Sequence, residues 1–356
     1  MPPLSATDTI QEHGLPIGGR QSSVEFAPSV SAIMLRCPAC RKDGIACSYD
    51  SLAGNHQAVV CQVCSFATKQ EAGIWCAWPS VRQRYFARFI QEYEHVRKQE
   101  GRGSDSPGFY LELPFRDITG RNAWQWSIRS RTFRYIVRNI LPMLSLTGLS
   151  PARRKKGNAG LKILDLGAGN GWMSYRLAAL GHQPVAVDLL GNAFDGLGAA
   201  VHYQSALANF FPRFRAELDN LPFADNQFDC AIFNASFHYS ENYERTLAET
   251  IRCLSRGGTI IIADTPTYSQ ESCGQQMLEE RQQTFQKNFG VKSDSLKSGE
   301  YLTPARLLAL EAKLELEWRV HRVWYGFRWA MRPFRSRLEN RREPSQFRIY
   351  VAQVKN

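Results

Sequence analysis

The stretch LKILDLGAGNGWMSYRLA, residues 161–178, constrains this chain more than any other. An apolar, strand-like run ends in Asp165, the turn Gly167-Ala168-Gly169-Asn170-Gly171 follows at once, and residues 172–180 read as a helix. A glycine-rich turn between a strand and a helix lets a ligand approach the backbone and sets it at the positive end of the helix dipole. The stretch therefore describes a nucleotide-type pocket on an α/β sheet, and neighbouring segments must supply the other strands. Strand-like runs recur at 183–187, 213–217, 229–234 and 259–263, with helix-like segments between most of them. That alternation predicts a parallel, doubly wound sheet covered on both faces.

The glycine turn alone does not choose a ligand, because dinucleotide-binding folds use a similar one. The following positions narrow the choice. Asp188 closes the second strand, where a carboxylate can accept hydrogen bonds from both hydroxyls of a ribose. The segments Ala216-Glu217-Leu218-Asp219-Asn220-Leu221-Pro222-Phe223, Asp225-Asn226-Gln227-Phe228-Asp229 and Leu254-Ser255-Arg256-Gly257-Gly258 come next, in that order. Together with the glycine turn and Asp188 they resemble the class I S-adenosylmethionine-dependent methyltransferases over residues 161–258.

That resemblance implies a doubly wound, mostly parallel, seven-stranded Rossmann-like sheet, with residues 316–324 and 346–354 as its last two strands, one of them antiparallel. It implies S-adenosyl-L-methionine as cofactor, held by Asp165, Gly167, Ala168, Gly169, Asn170, Gly171, Asp188, Leu189, Glu217, Leu218 and Asn234. Glu217 would accept from the adenine amino group, and the Leu218 N–H would donate to the ring. The run Asn234-Ala235-Ser236-Phe237-His238-Tyr239 leaves the fourth strand at the carboxyl edge of the sheet. Should the acceptor need a base, His238 is the first candidate, because it follows that strand and titrates near neutrality. Tyr239 and Asp264 are further catalytic candidates on positional grounds, and Asn192 and Asp195 could line the adenosine pocket.

An independent signal lies upstream. Cys37-Pro38-Ala39-Cys40 and Cys61-Gln62-Val63-Cys64 are separated by twenty residues, a spacing that brings two thiolate turns around one tetrahedral zinc. Four thiolates close the coordination shell, so Cys37, Cys40, Cys61 and Cys64 predict a structural Zn2+ in a small ribbon. Nine cysteines, four of them in such pairs, suit a reducing, cytoplasmic setting better than a disulfide framework.

The chain divides on this reading into an N-terminal stretch 1–30 expected to be disordered, a zinc ribbon 31–78, a helical cap and linker 79–150, and the methyltransferase domain 151–356. No apolar run approaches the length of a membrane span. The net charge of +11 draws acidic partners. Residues 319–342 concentrate it, with eight arginines against one glutamate and five interleaved aromatic residues. Within the cap, Arg129, Arg131, Arg134 and Arg138 lie beside Trp124, Trp126, Phe133 and Tyr135, a pattern that fits either a solvated helix or a substrate roof. A small or lipid-like, anionic acceptor is the leading functional expectation. An RNA methyltransferase is the alternative, and a cofactor-binding scaffold without turnover is the third reading.

Overall fold

A computed structural model describes residues 32–48, 52, 58–147 and 160–355, with the side chains of 44–48 and 145–147 excepted. The expectation for residues 1–30 falls outside the described residues.

The strands are β1 (Ala32–Arg36), β2 (Asp43–Ser48), β3 (Ala58–Val60), β4 (Ala67–Glu71), β5 (Ile74–Cys76), β6 (Lys162–Leu166), β7 (Gln183–Asp188), β8 (Arg213–Arg215), β9 (Phe228–Asn234), β10 (Leu254–Ala263), β11 (Arg319–His321) and β12 (Ile349–Gln353). One sheet takes the order β11-β12-β10-β9-β6-β7-β8-β5-β4-β3. Its parallel part places β6 between β7 and β9, so the chain winds outward from β6 first on one side and then on the other. β12 and β11 close the far edge antiparallel. These seven strands are the expected Rossmann-like sheet.

The extension beyond β8 was not expected. β5 pairs parallel with β8, and β4 and β3 follow antiparallel, so the second cysteine pair belongs to strands that continue the main sheet. Among the described residues only β1 and β2 form a separate hairpin, and even that hairpin touches the main body through the bridge between Leu35 and Phe223. The boundary expected at residue 78 is therefore not a boundary in the sheet.

The central strands are buried on both faces, as parallel strands under helices must be. Ile163, Leu164, Val185, Val187, Ile232, Phe233 and Ile261 have no solvent exposure. The helices are α1 (Ser80–Gln99), α2 (Pro107–Glu112), α3 (Ala123–Tyr135), α4 (Trp172–Ala179), α5 (Tyr243–Cys253), α6 (Glu271–Phe289) and α7 (Pro304–Leu314). Past Tyr135, α3 continues through a π turn, Ile136–Ile140, into Leu141–Thr147. Side-chain caps set two of the starts: Asn242 accepts from the Arg245 N–H at α5, and Thr303 accepts from the Arg306 N–H ahead of Pro304 at α7. Helix α6 was not foreseen. Its sequence, ESCGQQMLEERQQTFQKNF, carries too few apolar residues to show a helical stripe, and Gly274 is its one fully buried position. Among the described residues, no helix is long and apolar enough to cross a membrane.

Candidate active site

Open α/β sheets bind ligands in the crevice outside the carboxyl ends of their strands, where the winding reverses. Here that point lies between β6 and β9, and a cavity opens there. Its floor is the glycine turn, with the ends of β7 and β9. Its walls come from residues 216–219 and from the first turn of α4, and its roof from α1 and α3.

The turn has the shape it has because no side chain fits. Gly167 lies at φ +76°, and a Cβ there would fall 2.2 Å from the Ser236 Cβ. The Gly169 N–H donates to Asp188 Oδ2 at 2.8 Å, and the Leu190 N–H donates to Oδ1 at 2.8 Å, which fixes the Asp188 carboxylate at the end of β7. Burial raises its pKa, and those two N–H donors oppose the rise. Asp165 is deeper, 2 % exposed, and Oδ2 accepts from both the N–H and the hydroxyl of Ser174. Burial pushes its carboxyl up to about 7.

Of the residues expected to hold a cofactor, Asp165, Gly167, Ala168, Gly169, Asn170, Asp188, Leu189, Glu217, Leu218 and Asn234 all line this one cavity. Gly171 does not. It begins α4 at φ +77°, and a Cβ there would press on Ala200 and Phe211 at 3.2–3.3 Å, so its role is packing. Glu217 reaches the wall already engaged: both its oxygens accept from Arg82 of α1, at 2.6–3.0 Å.

His238, the first candidate for a base, sits apart from these residues. It is absent from the cavity lining, and burial lowers its pKa to about 4, with nearby Arg281 and Arg129 lowering it further and Glu300 opposing. A ring that weakly basic and removed from the cavity is poorly suited to take a proton from an acceptor. Tyr239 does line the cavity, with its ring 4.3 Å from that of His238 and 5.6 Å from that of Tyr93. Burial raises its hydroxyl pKa. Asp264 is likewise off the lining. It accepts from Thr132 Oγ1 at 2.6 Å and from Asn234 Nδ2 at 3.1 Å, tying α3 to β9. Asn192 caps its own loop, accepting from the N–H groups of Phe194, Asp195 and Gly196, and Asp195 is the one of that pair on the wall.

The roof supplies what the sequence left unassigned. Phe86, Phe89, Tyr93 and Arg97 descend one face of α1 into the cavity, and Leu296 joins them from the loop after α6. The spacing of four from Phe89 to Arg97 was visible, but an aromatic stripe on a helix reads equally well as core. Arg97 binds Asp195 at 2.5 Å and is thereby neutralised. Arg129 of α3 is different. It lines the cavity, and among the described residues its guanidinium has no hydrogen bond or ion pair, only the face of Trp126 at 4.8 Å. Burial first, then Arg97 and Arg102, lower its pKa to about 10, so it stays charged at neutrality. The eight arginines of residues 319–342 are all absent from its lining.

Away from the cavity, the four cysteine Sγ atoms lie within 4.8 Å of one another, with Cys37 and Cys64 at 3.5 Å and Cys40 and Cys61 at 3.7 Å. Thiolates about 2.3 Å from a tetrahedral zinc stand roughly 3.8 Å apart, so the cluster has zinc dimensions. The two loops repeat one geometry. The Arg41 N–H donates to the Cys37 carbonyl and the Ser65 N–H to the Cys61 carbonyl, with Arg41 and Ser65 both left-handed, at φ 58° and 60°.

The strand order, the glycine turn and the cavity at the switch point define the class I methyltransferase fold. Comparison with known proteins agrees: residues 164–262 match the family described as a methyltransferase domain. Over 103 residues the chain is 29% identical to the malonyl-[acyl-carrier protein] O-methyltransferase of Buchnera aphidicola, covering 29% of this chain and 39% of that protein. The same enzyme of Erwinia pyrifoliae is 33% identical over 109 residues, 31% of this chain and 38% of the relative. The demethylmenaquinone methyltransferase of Clavibacter sepedonicus is 32% identical over 109 residues, 31% and 43% respectively. The matched region thus spans about two fifths of each of these relatives.

Proposed function

We propose that this protein binds S-adenosyl-L-methionine in the cavity at the β6–β9 switch point and transfers its methyl group to a small or lipid-like acceptor. The observation that carries the reading is the charge pattern of that cavity. Arg97 pairs with Asp195 and Arg82 with Glu217, whereas the buried cavity residues Asp165 and Asp188 accept from neutral donors, and among the described residues Arg129 makes no ion pair, with the nearby Asp264 carboxylate its buried electrostatic counterpart off the lining. A buried, uncompensated charge is costly unless a ligand completes it. S-adenosylmethionine brings hydroxyls for Asp188, an ammonium for Asp165 and a carboxylate for Arg129.

When bound, that cofactor supplies an electrophilic methyl carbon on a good leaving group. The chain's own residues then have three tasks: to orient, to exclude water and to shape the acceptor site. Asp188, with its two N–H donors, orients the ribose end, and Glu217 with Leu218 the adenine end. Phe86, Phe89, Tyr93, Tyr239 and Leu296 make an apolar roof suited to an acceptor with an apolar body. The relatives above act on a carrier-bound malonyl group and on a demethylmenaquinone, which supports the small or lipid-like class. Tyr239 is the wall residue we assign to steering the nucleophile.

We further assign a structural zinc to Cys37, Cys40, Cys61 and Cys64, on the distances and paired loops described above. Calorimetry with S-adenosylmethionine tests the cofactor site. Losing hydrogen bonds to a charged acceptor costs about 1.5–3 kcal/mol, so Asp188→Ala should bind roughly ten- to a hundredfold more weakly. Unchanged affinity in a folded variant would remove this cavity from consideration. Transfer of labelled methyl to separated metabolite, lipid and RNA fractions would then identify the acceptor.

A further inference from the structure

The chain between β11 and β12 places apolar side chains in water. Short helical turns at Phe327–Ala330 and Arg332–Leu338 are joined through Met331, whose N–H donates to the Phe327 carbonyl at 2.9 Å and whose carbonyl accepts from the Arg335 N–H at 3.0 Å. The two pieces therefore act as one helical segment, interrupted where Pro333 has no N–H to give. Along it, Phe327, Met331, Phe334 and Leu338 follow one another at spacings of four, three and four, which puts them on a single face. They are 80%, 51%, 56% and 72% exposed. Trp324, also exposed, sets its ring edge-on to Phe327 at 5.4 Å and lengthens the ridge.

Arginines border this ridge on both sides. Arg328 and Arg335 lie about a quarter turn to one side of it and Arg337 about as far to the other. Arg328 rests on Trp124 at 4.8 Å and Arg335 pairs with Glu339 at 2.6 Å across an exposed surface, while among the described residues Arg337 has no charge partner. A contiguous exposed apolar face of this kind marks a contact surface. An apolar ridge with cationic flanks fits the boundary between the acyl chains and anionic headgroups of a bilayer, where the ridge inserts and the arginines meet phosphate. Aliphatic Met331 and Leu338 in the ridge offer no face for stacking nucleic-acid bases, which an RNA surface uses. A second copy would bring the same cluster of eight arginines against the first, and like charges oppose that pairing.

The segment is also fixed relative to the active site. Tyr325, just before it, is buried, with its hydroxyl 2.8 Å from Thr132 Oγ1, and Thr132 donates to Asp264, the partner of the cavity residue Asn234. Arg131 of α3 donates to the Trp324 carbonyl at 3.2 Å. The ridge is thus tied to the carboxyl edge of the sheet, the side on which the cavity opens.

We propose that residues 324–338 dock this protein on the surface of an anionic lipid membrane, with the Phe327–Leu338 ridge inserted at the headgroup level. The proposal extends the lipid-like acceptor reading, because such an acceptor resides in a bilayer, yet docking is measured without turnover. The full chain is sedimented with vesicles of phosphatidylcholine containing phosphatidylglycerol and with vesicles of phosphatidylcholine alone. Binding to the anionic vesicles is expected, weakening with salt. A variant carrying Phe327→Ser, Met331→Ser, Phe334→Ser and Leu338→Ser should lose at least about tenfold. Arg335→Gln with Arg337→Gln should lose roughly fivefold per arginine. Unchanged S-adenosylmethionine affinity in both variants shows that they are folded. Equal binding of parent and ridge variant, indifference to lipid charge, a dimer that the ridge variant dissolves, or RNA binding that it abolishes would each overturn the membrane surface, whatever the outcome of the methyl-transfer assay.

Discussion

Strands β6–β9 and strands β3–β5 belong to one sheet, and different forces hold them. In β9, Phe228–Cys230 and Ala231–Phe233 are all buried, and in β6 every residue after Lys162 is. In β4 the sequence ATKQE leaves one residue fully buried, and in β3 none is. The central strands are stabilised by apolar area removed from water, a term β3 and β4 cannot draw on. Between the two regimes lies a seam. Trp75 of β5 stacks on Phe214 of β8 at 6.3 Å, the Ala77 N–H donates to the Arg215 carbonyl, and Arg213 reaches the Gly73 carbonyl at 3.1 Å. Beyond that seam the cysteine cluster joins the β3–β4 turn to the end of β1, whose Ile33 and Leu35 are buried in the main core. The lesson is that one sheet can carry at its edge strands with little apolar burial, next to a cysteine cluster, while its centre is fully buried.

Removing the proposed zinc should separate the regions most sharply. Structural zinc sites in small domains contribute on the order of 10 kcal/mol to folding. Cys61→Ser, or chelation, should therefore expose the amides of β3 and β4 to exchange while those of β6–β9 stay protected, as read by hydrogen-exchange mass spectrometry. Full protection in metal-free protein would break the comparison. Phe233→Ala probes the opposite side: Phe233 has no exposure and packs on Phe237 at 5.1 Å, so its truncation should cost about 3–5 kcal/mol in denaturant melts. Metal content should not change, and a variant that loses its metal on this substitution would show the two regions to be one cooperative unit.

The smallest effect concerns charge at the cavity. Because burial lifts the Asp165 carboxyl to about 7, that group is partly protonated at neutrality, and a cationic ligand favours its ionised form. Affinity for S-adenosylmethionine should therefore strengthen as pH rises through about 7 and level off above it, by at most about tenfold per pH unit. Calorimetry across that range with Asp165→Asn alongside checks it, since the variant should lose the slope. A parent protein with no slope would mean that Asp165 does not meet a cation.

The sequence by itself determined the central sheet, because strand burial and the glycine turn are local: Ile163–Leu166, Asp188 and the turn can be read residue by residue. It also determined the cysteine cluster, since two tight loops at a set spacing leave thiolates few other arrangements. Only the tertiary structure decided which charges are free. Arg82, Arg97 and Arg129 look alike on their helices, and their difference lies in partners 135 and 98 residues away for the first two, and none among the described residues for the third. The same holds for His238, whose position after β9 suggested a base but whose burial lowers its pKa and which is absent from the cavity lining. It holds too for the join of β5 to β8, because pairing between strands distant in sequence is set by which edge is left open, a property of the whole sheet that no single segment carries.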